Sequence, residues 1–104
     1  MELKSYIRDI PDFPKPGILF RDITPLLKDV VAFNYVIDRF FDKYQGNQLD
    51  VIVAIESRGF LLGAPLAYRM GIPIVLARKP GKLPAATHTA EYTLEYGKSS
   101  MEIH

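Results

Sequence analysis

Val51-Ile52-Val53-Ala54-Ile55 is an unbroken apolar run of strand-forming residues. A strand with one face in water alternates polar and apolar side chains. A continuous run instead suits a strand covered on both faces, as in a parallel sheet. Ile72 to Ala77 is a second such run. Between the two, Gly59 to Met70 reads as a helix closed by Gly71, with Pro65 either kinking it or marking its effective start. Strand, helix and strand in this order constrain the chain to the α/β class with a parallel sheet.

The elements on either side follow from spacing. Val30, Phe33, Ile37, Phe40, Phe41 and Tyr44 share one face of a helix expected from about Val30 to Tyr44, with Asp29 as its N-cap and Gly46 at its end. That stripe is expected to pack in the core. Leu3, Tyr6, Ile7 and Ile10 recur at helical spacing, so the chain is expected to open with a helix stopped by Pro11. Ile18-Leu19-Phe20 suits a short strand or an extended loop, and Thr24-Pro25 an N-cap followed by a brief helical turn. Arg78 to Ala90 has loop chemistry. Tyr92, Leu94 and Tyr96 then alternate as in a strand, and Met101 and Ile103 as in its return.

Composition removes several classes of function. With 104 residues there is room for one small domain. The absence of cysteine excludes disulfides, thiolate metal sites and cysteine nucleophiles, and permits a reducing compartment. His88 and His104 are too few for a histidine-built zinc site, and no metal-ligating residues are expected. The charged opening Met1-Glu2-Leu3-Lys4 is unlike a signal peptide. Apolar runs fall short of the ~20 residues of a membrane span. A soluble, cytoplasmic chain without a membrane partner is expected. A net charge of +1 argues against a nucleic-acid-coating surface. The charge is nevertheless uneven. Ser57 to Ala90 holds Arg58, Arg69, Arg78, Lys79 and Lys82 and no acidic residue. That bias suits either an anionic ligand or a solvated basic surface.

Four stretches carry candidate chemistry. Glu56-Ser57-Arg58-Gly59 lies between a strand and a helix, where free N–H groups and Arg58 would attract an anion and Gly59 would allow close approach. An ordinary strand–helix turn has the same outline. Arg78-Lys79-Pro80-Gly81-Lys82 follows the next strand, so both basic turns should share one sheet edge and could clamp phosphate; a solvated loop is the plainer reading. Neither a P-loop nor a dinucleotide fingerprint is present. Glu95, beside Tyr96, could act as a general acid or base, or simply face outward on a strand. Phe20, between Leu19 and Arg21, could stack on a flat base or pack in the core.

Together, P-x-P-G-I-L-F-R-D-I-T, E-S-R-G-F-L-L-G-A-P, R-K-P-G-K-L-P and Y-x-L-E-Y-G resemble, in order and spacing, the adenine phosphoribosyltransferases, type I phosphoribosyltransferases of purine salvage. The resemblance implies a parallel-sheet core incomplete at its C-terminal side, with a small N-terminal base-binding hood. Residues 1–27 would form the hood and adenine-binding segment, and 28–104 the first part of the core with its flexible loop.

The family's activity converts adenine and phosphoribosyl pyrophosphate to AMP and pyrophosphate, with Mg²⁺ held mainly by the substrate pyrophosphate, in a homodimer. By matching position, Leu19 and Arg21 would offer backbone groups to adenine and Phe20 its face. Ser57, Arg58, Arg78, Lys79 and Lys82 would hold pyrophosphate, Arg78 within the protomer or across a dimer interface. Glu95 would be the catalytic acid or base, with Tyr96 beside it in a lid that includes Leu83 to Ala90. The resemblance also implies a cis peptide at Glu56–Ser57. The family's Asp-Asp pair and Thr-Gly loop for the ribose phosphate have no match here, so this chain is expected to be inactive alone. The rival reading is a non-catalytic module of the same fold that binds purine or phosphoribosyl pyrophosphate.

Overall fold

The computed structural model describes residues 1–94 and 97–104. The chain divides into two compact units, Met1–Phe40 and Phe41–His104.

In the first unit a 3₁₀ turn, Leu3–Tyr6, leads into β1, Arg8–Pro11, which pairs antiparallel with β2, Leu19–Asp22. The expected opening helix is therefore wrong beyond its first turn. Helical spacing at Ile7 and Ile10 is overridden by a pairing partner ten residues away, and Pro11 closes a strand instead of a helix. The connection is held by Asp12, whose carboxylate accepts the Gly17 N–H at 2.9 Å, and by the Phe13 N–H on Ile18 O at 3.1 Å. The Phe13–Pro14 bond is cis.

Helix α1 is Thr24–Lys28 and α2 is Val30–Tyr44. Thr24 is not the cap of α1 but its first residue. Asp22 takes the capping role, accepting the Thr24 N–H and hydroxyl, both at 2.9 Å. Asp29 caps α2 as expected, accepting the Ala32 N–H at 2.9 Å. The stripe along α2 is less buried than expected. Ile37 is buried together with Ala32, whereas Val30 is 72% and Phe40 38% exposed.

In the second unit, β3 (Ile52–Ile55) and β4 (Ile74–Ala77) pair in parallel, joined by α3, Arg58–Met70. The strand–helix–strand reading stands. Gly71, at φ 70°, ends α3 by donating to Ala67 O and Tyr68 O. The helix reaches the sheet through Gly63. A Cβ there would lie 2.8 Å from the Ala54 Cβ and 3.2 Å from the Ile74 Cδ1. Only hydrogen at this position lets α3 sit so close. Ile52, Ala54 and Ile74 face the helix, which leaves Val53 and Ile55 on the opposite face by alternation. These two remain 53% and 54% exposed, so the sheet is covered on one face rather than the two expected.

Strands β5, His88–Leu94, and β6, Gly97–Ile103, form an antiparallel hairpin. β5 begins inside the stretch expected to be loop, because His88, Thr89 and Ala90 pair with Ile103, Glu102 and Met101.

Candidate functional site

Parallel pairing brings the carboxyl ends of β3 and β4 together, and the Glu56 N–H donates to Ala77 O at 2.9 Å just past the strands. Each strand then turns into one of the basic motifs. After β3 comes Glu56–Ser57, whose peptide bond is cis as expected. Arg58 follows as the first residue of α3. The Ser57 side chain makes no capping bond at the start of the helix. Gly59 would carry a Cβ at no closer than 3.8 Å to a neighbour. Its packing therefore does not demand glycine, and the demanding position is Gly63.

After β4, Lys79-Pro80-Gly81-Lys82 forms a tight turn, with the Lys82 N–H on Lys79 O at 3.2 Å and Gly81 at φ 82°. Proline second and glycine third, with that positive φ, are what a type II turn requires. The two lysines stand at the ends of this turn. Among the described residues neither ammonium is held by an ion pair.

Two carboxylates fix the segment. Glu56, its side chain 12% exposed, accepts the Lys79 N–H and stands 3.4 Å from Arg78 Nε. That Nε is buried and, among the described residues, has no hydrogen-bond partner, and the guanidinium lies 5.8 Å from the centre of the Phe60 ring. The Lys79 N–H, followed by the charges of Arg78 and Lys79, lowers the Glu56 pKa against the opposing effect of desolvation. Glu102 bridges Arg78 through both backbone groups, at 2.9 and 2.8 Å. Its side chain accepts the Gly81 N–H, and this bond, aided by Thr89 and Thr87, holds its pKa below the usual value. Each acid thus keeps its charge while organising the backbone of a basic loop.

Ser57, Arg58, Arg78, Lys79 and Lys82 accordingly all belong to this end of the second unit. Leu19, Phe20 and Arg21 lie on β2 of the first. Arg21 is paired with Asp9 at 2.6 Å. Phe20 meets Phe13 edge to face, with ring centres 5.2 Å apart. In the register, Leu19 faces Pro11 and Arg21 faces Asp9. Pro11 has no N–H and cannot exchange both ladder bonds with Leu19. Alternation then makes both pairs non-hydrogen-bonded, and the N–H and C=O groups of Leu19 and Arg21 point away from β1. Leu19 and the nearby Phe13 and Ile18 are also exposed, giving an apolar rim beside this outward backbone edge.

Glu95 and Tyr96 lie outside the described residues. Sequence reasoning missed the roles of Glu56 and Glu102. Glu56 was marked by its place inside the first motif. Glu102 carries no local signal, because its side-chain partners lie 13 to 21 residues away. Among the described residues no group of three or more His, Cys, Asp or Glu is placed to hold a metal, and no helix is long and apolar enough to cross a membrane.

No family model matches the chain. It is similar to the adenine phosphoribosyltransferase of Acaryochloris marina, 62% identical over 104 residues, covering 100% of this chain and 61% of that protein. Among solved structures, the adenine phosphoribosyltransferase of Thermoanaerobacter pseudethanolicus superposes with a TM-score of 0.92 at 60% identity, covering 99% of this chain and 60% of that one. The Saccharomyces cerevisiae adenine phosphoribosyltransferase, complexed with an imino-altritol bisphosphate and adenine, gives 0.86 at 40% identity, with 98% and 60% covered. The chain spans about three fifths of the length of the curated relatives it matches. On identity of this order along the whole chain, and on an α/β fold shared with the solved structures, the chain belongs to the adenine phosphoribosyltransferase family.

Proposed function

We propose that this chain supplies the base-binding and pyrophosphate-binding parts of an enzyme of purine salvage that joins adenine to the ribose of phosphoribosyl pyrophosphate, giving AMP and pyrophosphate. The observation that carries the reading is the meeting of two basic turns at one sheet edge, joined by Glu56 through the Lys79 N–H and Arg78.

The bond from the anomeric carbon to pyrophosphate breaks as the bond to the purine nitrogen forms, through an oxocarbenium-like state. The electron pair leaves with pyrophosphate, whose oxygens gain charge. Cationic and N–H donors fixed before the reaction stabilise such charge best, with ~10²–10³-fold in rate from a single donor. Ser57, Arg58, Arg78, Lys79 and Lys82 take this part. Magnesium would be held mainly through the substrate pyrophosphate rather than by a cage of protein carboxylates, and would supply charge that offsets the pyrophosphate's own. The outward backbone edge at Leu19 and Arg21 reads the rim of adenine while Phe20 lies on its face. Glu95, with Tyr96 beside it, exchanges the proton of the purine ring. The stretch from Leu83 to Ala90 contributes to a lid that excludes water. A homodimer in the cytoplasm completes the reading, which the absence of cysteine suits.

The test is titration of the chain with inorganic pyrophosphate, followed by calorimetry, against Arg58→Ala. A charge-assisted contact is worth ~1.5–3 kcal/mol, so affinity should fall about 10- to 100-fold. Absence of pyrophosphate binding, or binding indifferent to Arg58, would overturn the assignment.

A further inference from the structure

Glu102 belongs to none of the four stretches that carried the family resemblance, yet much of the loop after β4 is fastened to it. One carboxylate oxygen accepts the Gly81 N–H at 2.9 Å. The other accepts the hydroxyls of Thr87 and Thr89, each at 3.2 Å. Its backbone exchanges two bonds with Arg78. Two residues on, His104 Nε2 meets Pro84 O at 2.7 Å, and since a carbonyl can only accept, the ring nitrogen is the donor.

The contact to Gly81 has a specific cause. A type II turn uses the N–H of its fourth residue for its own closure and leaves that of the third unused. The third residue here is Gly81, and Glu102 takes that donor. The lysines flanking Pro80-Gly81 are therefore set by a turn whose inner peptide is clamped from β6.

We propose that Glu102 is a positioning residue: it touches no substrate, and it holds the Lys79–Lys82 turn in the form that presents its cations to pyrophosphate. This rests on the pyrophosphate reading of the preceding section. A chain with Glu102 replaced by alanine would keep every cation and lose the geometry that makes them act together.

Three measurements on the full 104-residue chain decide the matter. Exchange of the Gly81 amide, read by NMR, should rise about tenfold or more in Glu102→Ala, while the amides of Ile52 to Glu56 stay as protected as before. Affinity for inorganic pyrophosphate should fall about tenfold, the scale of one or two net hydrogen bonds. Glu102→Gln should restore both to within about threefold, because its oxygen can accept from Gly81 and its amide can donate to the threonine hydroxyls. Should Glu102→Ala fail to fold, Thr87→Val with Thr89→Val provides a milder loosening of the same clamp, expected to show the same changes at smaller size. Gly81 exchange that ignores Glu102 would overturn the clamp. A loosened turn with unchanged pyrophosphate affinity would overturn its positioning role. Wild-type chain that binds no pyrophosphate would instead refute the site itself, and the exchange data would still say whether the clamp exists.

Discussion

In the β1–β2 hairpin, Asp22 receives the Arg8 guanidinium and Asp9 that of Arg21. At the end of β3 and β4, Glu56 and Glu102 receive the backbone N–H groups of Lys79 and Gly81. Both units use acids to organise strands and turns, with different electrical results. In the hairpin each acid neutralises a cation side chain to side chain, which suits a scaffold. In the second unit the acids mainly hold peptide groups, and among the described residues Lys79 and Lys82 are in no ion pair. A loop can be shaped by carboxylates and still remain attractive to an anion, provided the carboxylates are occupied by backbone.

A carboxylate that moves a proton would be a third use, and the largest effect is expected there. In an adenine phosphoribosyltransferase containing this sequence, Glu95→Gln should lower kcat by ~10²–10⁴-fold while leaving adenine affinity nearly unchanged. Glutamine keeps the size and one acceptor but cannot exchange the proton. Near-normal kcat where chemistry limits the rate would remove Glu95 from the mechanism.

Next in size is the layer on which the second arrangement stands. Gly63→Leu drives a side chain into Ala54 and Ile74 and should cost ~3 kcal/mol, the upper end for overpacking. Denaturant unfolding measures this directly. A loss below about 1 kcal/mol would mean that α3 can ride away from the sheet.

Acidification acts on both regions in the same direction. Glu56 and Glu102 both have folded pKa values below their ordinary 4.5, so what they contribute is complete above 4.5 and is lost as pH falls through the lowered values. Asp22 is lowered from 3.8 to about 2, by the Thr24 N–H first and Arg8 next, so its contribution is complete above 3.8 and is lost as pH falls through about 2. The amide-proton shift of Thr24 should therefore titrate near pH 2, and those of Lys79 and Gly81 below 4.5. A Lys79 or Gly81 shift that titrates at or above 4.5 would break the comparison.

The smallest effect belongs to the exposed Arg21–Asp9 pair, whose side chains are 65% and 53% accessible. Asp9→Asn should change stability by less than ~1 kcal/mol and diminish further in salt. A larger loss would show that the hairpin depends on this pair more than its exposure implies.

The same contrast explains what could be read from the sequence. Helix α2 was legible to its ends, because its periodicity and the Asp29 cap are local. The β3–α3–β4 unit was legible because its strands are unbroken apolar runs. The opening segment was not, since β1 exists only through its pairing with β2 and its own spacing mimics a helix. The basic residues of the site could be named, but Gly63 and Glu102 could not. One is defined by the approach of a helix to a sheet, the other by a turn and two threonines that only the folded chain brings to it.

The clamp at Glu102 also bears on how this loop meets a protease. The Lys79–Pro80 bond resists trypsin-like enzymes, because proline follows the basic residue; Arg78–Lys79 begins at a residue whose backbone is paired with Glu102, which leaves Lys82–Leu83 as the susceptible bond in the turn itself. A cut there falls between Gly81 on one side and Thr87 and Thr89 on the other, all three bonded to the same carboxylate. The severed ends would stay fastened to β6, and a nicked chain would retain its lysines in place until the strands themselves came apart.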